Sequence, residues 1–200
     1  MSEVLLALHF QNDICHPQGR IPFALNRNTE SAERFLQTSQ RVLAAGRRAG
    51  WTIAHKHIAF AGDYSDLPHN CRLFQKTEAL GALKRGSWGA AAYTGFEPRN
   101  DDIFVTGTAN SAFRRTELDA LLRQRAIERI NVIGLATQFS VEHTVRDAAD
   151  MGYFVRLFAD CCMSADAEAH AASLRTLTLL AEVIPSGAVF PDQAIGVLSS

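Results

Sequence analysis

The sequence predicts an α/β protein, a three-layer sandwich in which a mostly parallel sheet lies between helices. Two observations predict it. Short apolar runs of the kind buried on both faces of a sheet alternate with amphipathic stretches at helical spacing along the chain. That alternation is the signature of parallel strands joined by crossover helices. Composition agrees: 200 residues, 47% of them hydrophobic and 20% charged, describe one globular domain over residues 1–200. A core of this size needs neither disulfides nor a structural metal to fold.

The elements follow in order. Val4-Leu5-Leu6-Ala7-Leu8 is a continuous apolar run ending at a polar turn, hence a first buried strand. Thr29 is placed to cap a helix that Ser31-Ala32-Glu33 opens and Gly50 stops after Ala49. Residues 51–58 read as a second strand. A Gly-, Asn- and Asp-containing stretch from 61 to 100 follows, with a short helix over 75–84. Residues 102–106 form a third strand. A helix over 115–125 places Leu118, Leu121 and Leu122 on one face. Residues 130–134 are a fourth strand and 139–151 a helix. Residues 153–158 are a fifth strand, and Asp166 opens a last long helix. A sixth strand falls at 183–184 or at 188–190.

Bulk properties exclude several classes. Twenty basic and 21 acidic residues give a formal net charge of −1, which offers no field for nucleic acid or an anionic membrane. No run approaches the roughly 18 to 20 apolar residues of a membrane span. The first residues lack the basic region and cleavage site of an export signal. With four cysteines (Cys15, Cys71, Cys161 and Cys162) showing no paired CxxC spacing, reduced thiols in a cytoplasmic protein are the expectation.

In an open parallel sheet, ligands bind beyond the carboxyl ends of the strands where strand order reverses. Residues 9–13, 55–60, 106–113 and 137–140 therefore hold the candidate site, and three segments there carry a resemblance. Leu8-His9-Phe10-Gln11-Asn12-Asp13 is similar to an Asp-x-Gln-Asn-Asp strand end. Ser111-Ala112-Phe113-Arg114-Arg115-Thr116-Glu117-Leu118 is similar to Ser-Ala-Phe-x-x-Thr-x-Leu. Gly134-Leu135-Ala136-Thr137-Gln138-Phe139-Ser140-Val141, continuing through Thr144 and Arg146-Asp147-Ala148, is similar to Gly-x-x-Thr-x-x-Cys-Val-x-x-Thr-x-Arg-Asp-Ala. In register, the three resemble the isochorismatase-like hydrolases, the cysteine hydrolase superfamily. Asp160-Cys161-Cys162 and His170 fit the same pattern.

The resemblance implies a Rossmann-like sheet and a small-molecule substrate. It also implies a dimer or tetramer and no obligatory cofactor. In that family a cysteine at a helix start is the nucleophile, an aspartate carries the proton and a lysine holds the charged pair. Backbone N–H groups before the cysteine form an oxyanion hole, assisted by a cis peptide. Here all three side chains differ. His9 stands at the aspartate position, Gly107 at the lysine position (Thr106 if the register slips by one) and Ser140 at the cysteine position. Leu135 and Ala136 fall in the turn before Ser140, and with Phe113 and Phe139 they are the candidate ligand contacts.

Two readings follow. Loss of all three groups together points to lost chemistry, with His9 a buried, inert histidine and Ser140 a helix cap. The pocket and its anion-friendly N–H groups would then remain for binding. Alternatively His9 is a base and Ser140 a nucleophile in a rebuilt hydrolase of a small amide, ester or vinyl ether, with Asp13 a candidate to orient the imidazole.

Other residues have weaker assignments. His55 and His57 share a strand face, and with His69 they are candidates for a zinc site. Lys56 is a candidate substitute cation, against the default of a lysine reaching into water. Cys161 and Cys162 are expected to be small buried hydrophobes. Trp88 and Phe96 are candidates for the pocket mouth or a subunit contact. Asn12, Asp13 and Arg146 look structural.

Overall fold

The computed structural model describes residues 1–22, 24–25 and 29–191. Six strands form one sheet: β1 (Glu3–Leu8), β2 (Thr52–Ile58), β3 (Ile103–Gly107), β4 (Arg129–Leu135), β5 (Phe154–Met163) and β6 (Glu182–Ile184). Their order is β3-β2-β1-β4-β5-β6, and every neighbouring pair is parallel. Order reverses between β1 and β4, so the crevice above their carboxyl ends is where ligands bind in such sheets.

The helices are α1 (Asn12–Cys15), α2 (Glu30–Arg48), α3 (Arg72–Ala79), α4 (Leu118–Gln124), α5 (Glu142–Asp150) and α6 (Ala167–Leu177). Strand residues of alternate parity feed two cores. Leu5, Ala7, Ile53 and Ile133 pack with Phe35 and Val42 of α2 on one face. Val4, Leu6, Leu8, Ala54 and Val132 pack with Leu118, Val145 and Leu177 of α4, α5 and α6 on the other. Helices on both faces make the three layers.

The helix ends follow local chemistry. The Thr29 hydroxyl accepts from the Ala32 N–H, Glu30 and Glu33 occupy the first turn, and Arg47 and Arg48 the last. Gly50 then takes a φ of 75°. Asp166 caps α6 through the Ala169 N–H at 2.9 Å.

Several boundaries depart from the sequence expectation. The helix expected over 75–84 lies at Arg72–Ala79, because its turn already starts at Cys71, whose carbonyl accepts from Phe74 and Gln75, and Gly81 (φ 62°) ends it. The helix expected from 115 starts at Leu118. Arg115 sits at φ 59° and the Thr116 hydroxyl donates to the Ala112 carbonyl, which holds 111–117 as turns. The segment expected as helix from 139 is wound as a π turn over Thr137–Val141 before α5 begins. β5 runs on to Met163, with its register against β4 shifting between Val132 and Gly134. The sixth strand is Glu182–Ile184, and Ser186–Ala188 is a 3-10 turn.

Candidate functional site

A cavity of about 40 Å³ opens at the reversal point, walled by His9 and Ile14 after β1, Ile58 at the end of β2, Phe74 of α3, Asn110, Leu135 at the end of β4, and Ala136, Phe139 and Ser140 beyond it. A single water needs about 10–15 Å³ of such space, so this one accepts a few waters or the reacting end of a small ligand. Apart from His9, Asn110, Thr77 and Ser140, the wall is apolar.

His9 leaves β1 in a left-handed conformation, φ 61°, with its backbone N–H bonded to the Lys56 carbonyl at 3.0 Å. Gln11 fixes the imidazole. Its Nε2 donates to the Ile58 and Ala90 carbonyls at 2.9 and 2.8 Å, and its Oε1 accepts from the Ile58 N–H at 2.9 Å. The amide orientation is thereby set, and Oε1 faces His9 Nδ1 at 3.4 Å. An acceptor there assigns the proton to Nδ1. Nε2 keeps the lone pair and faces Lys56 Nζ at 3.3 Å, while Nζ also donates to the Ala109 carbonyl at 2.6 Å. Burial, reinforced by the Lys56 charge, holds the His9 pKa well below 6.5.

Lys56 does not reach into water. It is 0% exposed, and burial lowers its pKa from 10.5 to about 7. On β2 it shares a sheet face with Ala54, whereas His55 and His57 point the other way.

Ser140 lies inside the π turn, and its hydroxyl faces the cavity without a hydrogen-bond partner among the described residues. It caps neither the turn nor α5. The Leu135–Ala136 peptide is cis, as the resemblance implies, and Leu135, Ala136 and Phe139 all line the cavity. Behind Ser140, Thr137 and His170 contact one another at 2.8 Å. His9 and Ser140 thus share a chamber without a hydrogen bond between them.

Other candidates lie elsewhere. Phe113 is in the core of the opposite face, stacked on Tyr153 at 6.1 Å between centroids, and is not part of the cavity wall. Gly107 ends β3 with Thr116 against it, and Thr106 is exposed on that edge strand. The carboxylate of Asp13 accepts from the backbone N–H groups of Arg20 and Leu83 at 3.2 and 2.7 Å, so Gln11, not Asp13, orients His9. Asn12 donates to the Trp88 carbonyl, and Arg146 pairs with Glu142 at 2.8 Å.

The three histidines do not converge. His55 is held by Asp102 at 3.2 Å, itself clamped by Arg47 at 2.6 and 2.7 Å. His57 packs edge-on against Phe104, and burial lowers its pKa to about 3. His69 sits on the surface, 3.5 Å from Glu78. Among the described residues no three such side chains gather in ligating geometry. Burial, with Asp160 adding to it, raises the Cys161 thiol, and burial raises Cys162, so both are inert core residues. Phe96 stacks on Phe10 at 3.9 Å in the core and Trp88 lies on the surface, so only Trp88 stays available for a pocket-mouth or subunit role. Sequence reasoning missed Gln11 as the residue that fixes His9. The signal was a glutamine two positions after it, at the end of a buried strand.

A six-stranded parallel α/β sheet with a small, mostly apolar chamber at its reversal point is the arrangement the chain presents to comparison. The isochorismatase domain's family model matches residues 3–188, and the chain belongs to that family. An uncharacterized isochorismatase family protein, YecD of Escherichia coli O157:H7, is 28% identical over 156 residues, covering 76% of this chain and 78% of that protein. The ureidoacrylate amidohydrolase RutB of Rhizobium rhizogenes is 36% identical over 136 residues, 62% of this chain and 55% of its own length. The crystal structure of an isochorismatase family protein from Desulfovibrio vulgaris superposes with a TM-score of 0.83 at 24% identity, covering 96% of this chain and 98% of that one.

Proposed function

We propose that this isochorismatase-family protein retains a small-molecule pocket without cysteine-hydrolase chemistry. In this reading His9, Gly107 and Ser140 occupy the positions of a degenerate aspartate, lysine and cysteine triad. One observation carries it: both imidazole nitrogens of His9 are committed, Nδ1 toward Gln11 and Nε2 toward Lys56, so neither is free to take a proton from Ser140. A serine hydroxyl needs a base within hydrogen-bond reach to become a nucleophile. Its low pKa makes His9 a feeble base besides. The pocket itself supports binding, since Leu135, Ala136 and Phe139 form an apolar wall around the polar groups of His9, Asn110 and Ser140. Named amidohydrolases among the relatives make small amides the first ligands to try. From its cysteine usage we also place the protein in the cytoplasm, and from the resemblance we take it to be a homo-oligomer.

The alternative, a hydrolase using Ser140 and His9, draws on their shared chamber. A panel of small amides, esters and a vinyl ether, followed by product release and intact mass, separates the two. The expected result is saturable binding without turnover. An acyl adduct on Ser140, or turnover that Ser140→Ala abolishes, overturns the proposal.

A further inference from the structure

We infer that the chamber is a site for small carboxylates, and that its positive charge comes from Lys56 on β2 in place of a side chain from β3. The inference rests on the reading of this cavity as a binding pocket and adds the ligand's chemical class. Its first support is placement. Lys56 pairs in register with Val105 and Ile58 with Gly107, so positions 56 and 107 lie on one sheet face, two residues apart on neighbouring strands. A Cβ at Gly107 would meet Thr116 at 2.8 Å, so a side chain there has little room. Lys56, one strand further in, reaches past the end of β3 to the Ala109 carbonyl.

The second support is what the ammonium touches. Lys56 is not on the cavity wall, but it contacts one wall residue and the neighbour of another. His9 is on the wall, at 3.3 Å, and the Ala109 carbonyl, at 2.6 Å, immediately precedes the wall residue Asn110. A charge one side chain behind the wall is felt in the chamber, because the protein between them screens it less than bulk water does.

The third support is the missing counter-charge. Among the described residues, no aspartate or glutamate lines the chamber. The titratable groups near Lys56 are His9 after β1 and His57 on β2, with His55 and its Asp102–Arg47 pair beyond. Val105 and Gly107 of β3, Ala112 and Phe113, and Val141 and Thr144 are not ionisable. His9 and His57 are both neutral near pH 7. When protonated, the ammonium is therefore a buried cation with no counter-charge among the described residues, and a carboxylate in the chamber supplies that anion.

Propionate and its neutral isostere propionamide test this, titrated into the full chain by ligand-observed NMR at pH 6 and pH 8. With its pKa at about 7, Lys56 is about nine-tenths charged at pH 6 and one-tenth at pH 8. Propionate binding is expected to weaken about ten-fold across that range while propionamide binding stays constant. In Lys56→Met the propionate preference and its pH dependence both disappear, while propionamide still binds. The pH series on the unaltered chain needs no variant to fold. Absence of propionate binding at pH 6, equal affinity for the two ligands, or a preference that survives in Lys56→Met overturns the inference. Turnover of propionamide would overturn the binding-only reading instead, and leaves the charge comparison readable.

Discussion

A lysine with 0% exposure and no carboxylate against it among the described residues works against folding, since the unfolded chain hydrates the same ammonium freely. Lys56→Met removes that cost and keeps the stem's packing, but leaves the Ala109 carbonyl and His9 Nε2 without their donor. The net expected effect is a gain of about 1–3 kcal/mol at pH 7 or below, read from urea midpoints, set by those opposing contributions. The gain should shrink as pH approaches 10.5, where the unfolded lysine also loses its proton. Gln11 is the opposite case. Its amide is 0% exposed and satisfies three backbone groups of Ile58 and Ala90, so Gln11→Ala is expected to cost about 3 kcal/mol and to release His9. At this scale the sequence disclosed which residues gather at the cavity, because motif spacing places His9, Leu135, Ala136, Phe139 and Ser140 at strand ends. It could not disclose where side chains reach. Lys56 looked like a lysine bound for water, and Phe113 looked like a pocket wall, because burial depends on the segment that closes over each one. Asp13 was the partner the sequence offered for His9, but the path of residues 83–90 draws its carboxylate to the Leu83 N–H and leaves Gln11 against the imidazole.

Among the elements, β4 is the one that most directly shapes the site. Gly134 takes a φ of 142° where β4 shifts register against β5, and a Cβ there would stand 2.6 Å from Leu8 Cβ. Gly134→Ala is therefore both strained and overpacked, and a loss of about 3 kcal/mol or more is expected in thermal or urea unfolding. The disturbance should reach the cavity, since Leu135 and Ala136 follow directly. The helix caps act more locally: Asp166→Ala removes one bond to the start of α6 and should cost about 1 kcal/mol. Elements written in hydrophobic periodicity were legible, including β1 to β4, the Thr29 cap and the alternation that gives the three layers. Elements set by single side-chain bonds were not. Thr116 bonding back to Ala112 delays α4, and the π turn at Thr137–Val141 keeps the apolar spacing of a helix while widening its winding. The four-residue α1 carries too few residues to show any period.

Across the molecule the buried ionisable groups act in the same direction on the acid side. His9, His55 and His57 have pKa values lowered chiefly by burial, so the unfolded chain binds more protons than the folded one below pH 6.5. Their neutral-state stability is lost as pH falls through that value. Asp102 and Asp147 have carboxyls held low by arginine partners, and they add to the loss only once pH drops below about 3.8. Between pH 6.5 and 4.5 the histidines therefore dominate. His57 alone, with its pKa near 3, accounts for about 2–3 kcal/mol over that interval. On the alkaline side Lys56 favours the folded state progressively between pH 7 and 10.5. Cys161 and Cys162 oppose it above pH 9, where an unfolded thiol ionises and a buried one does not. Two thiols outweigh one lysine there, so maximum stability is expected at about pH 8–9, well above the sequence pI of 6.6. Urea unfolding in steps from pH 4 to 10, under reducing conditions, checks the profile. A His57→Phe variant should keep the alkaline limb and flatten the fall between 6.5 and 4.5. A wild-type curve flat across that interval would mean that these histidines take up protons in the folded state, and the burial cost assigned to them would have to be abandoned.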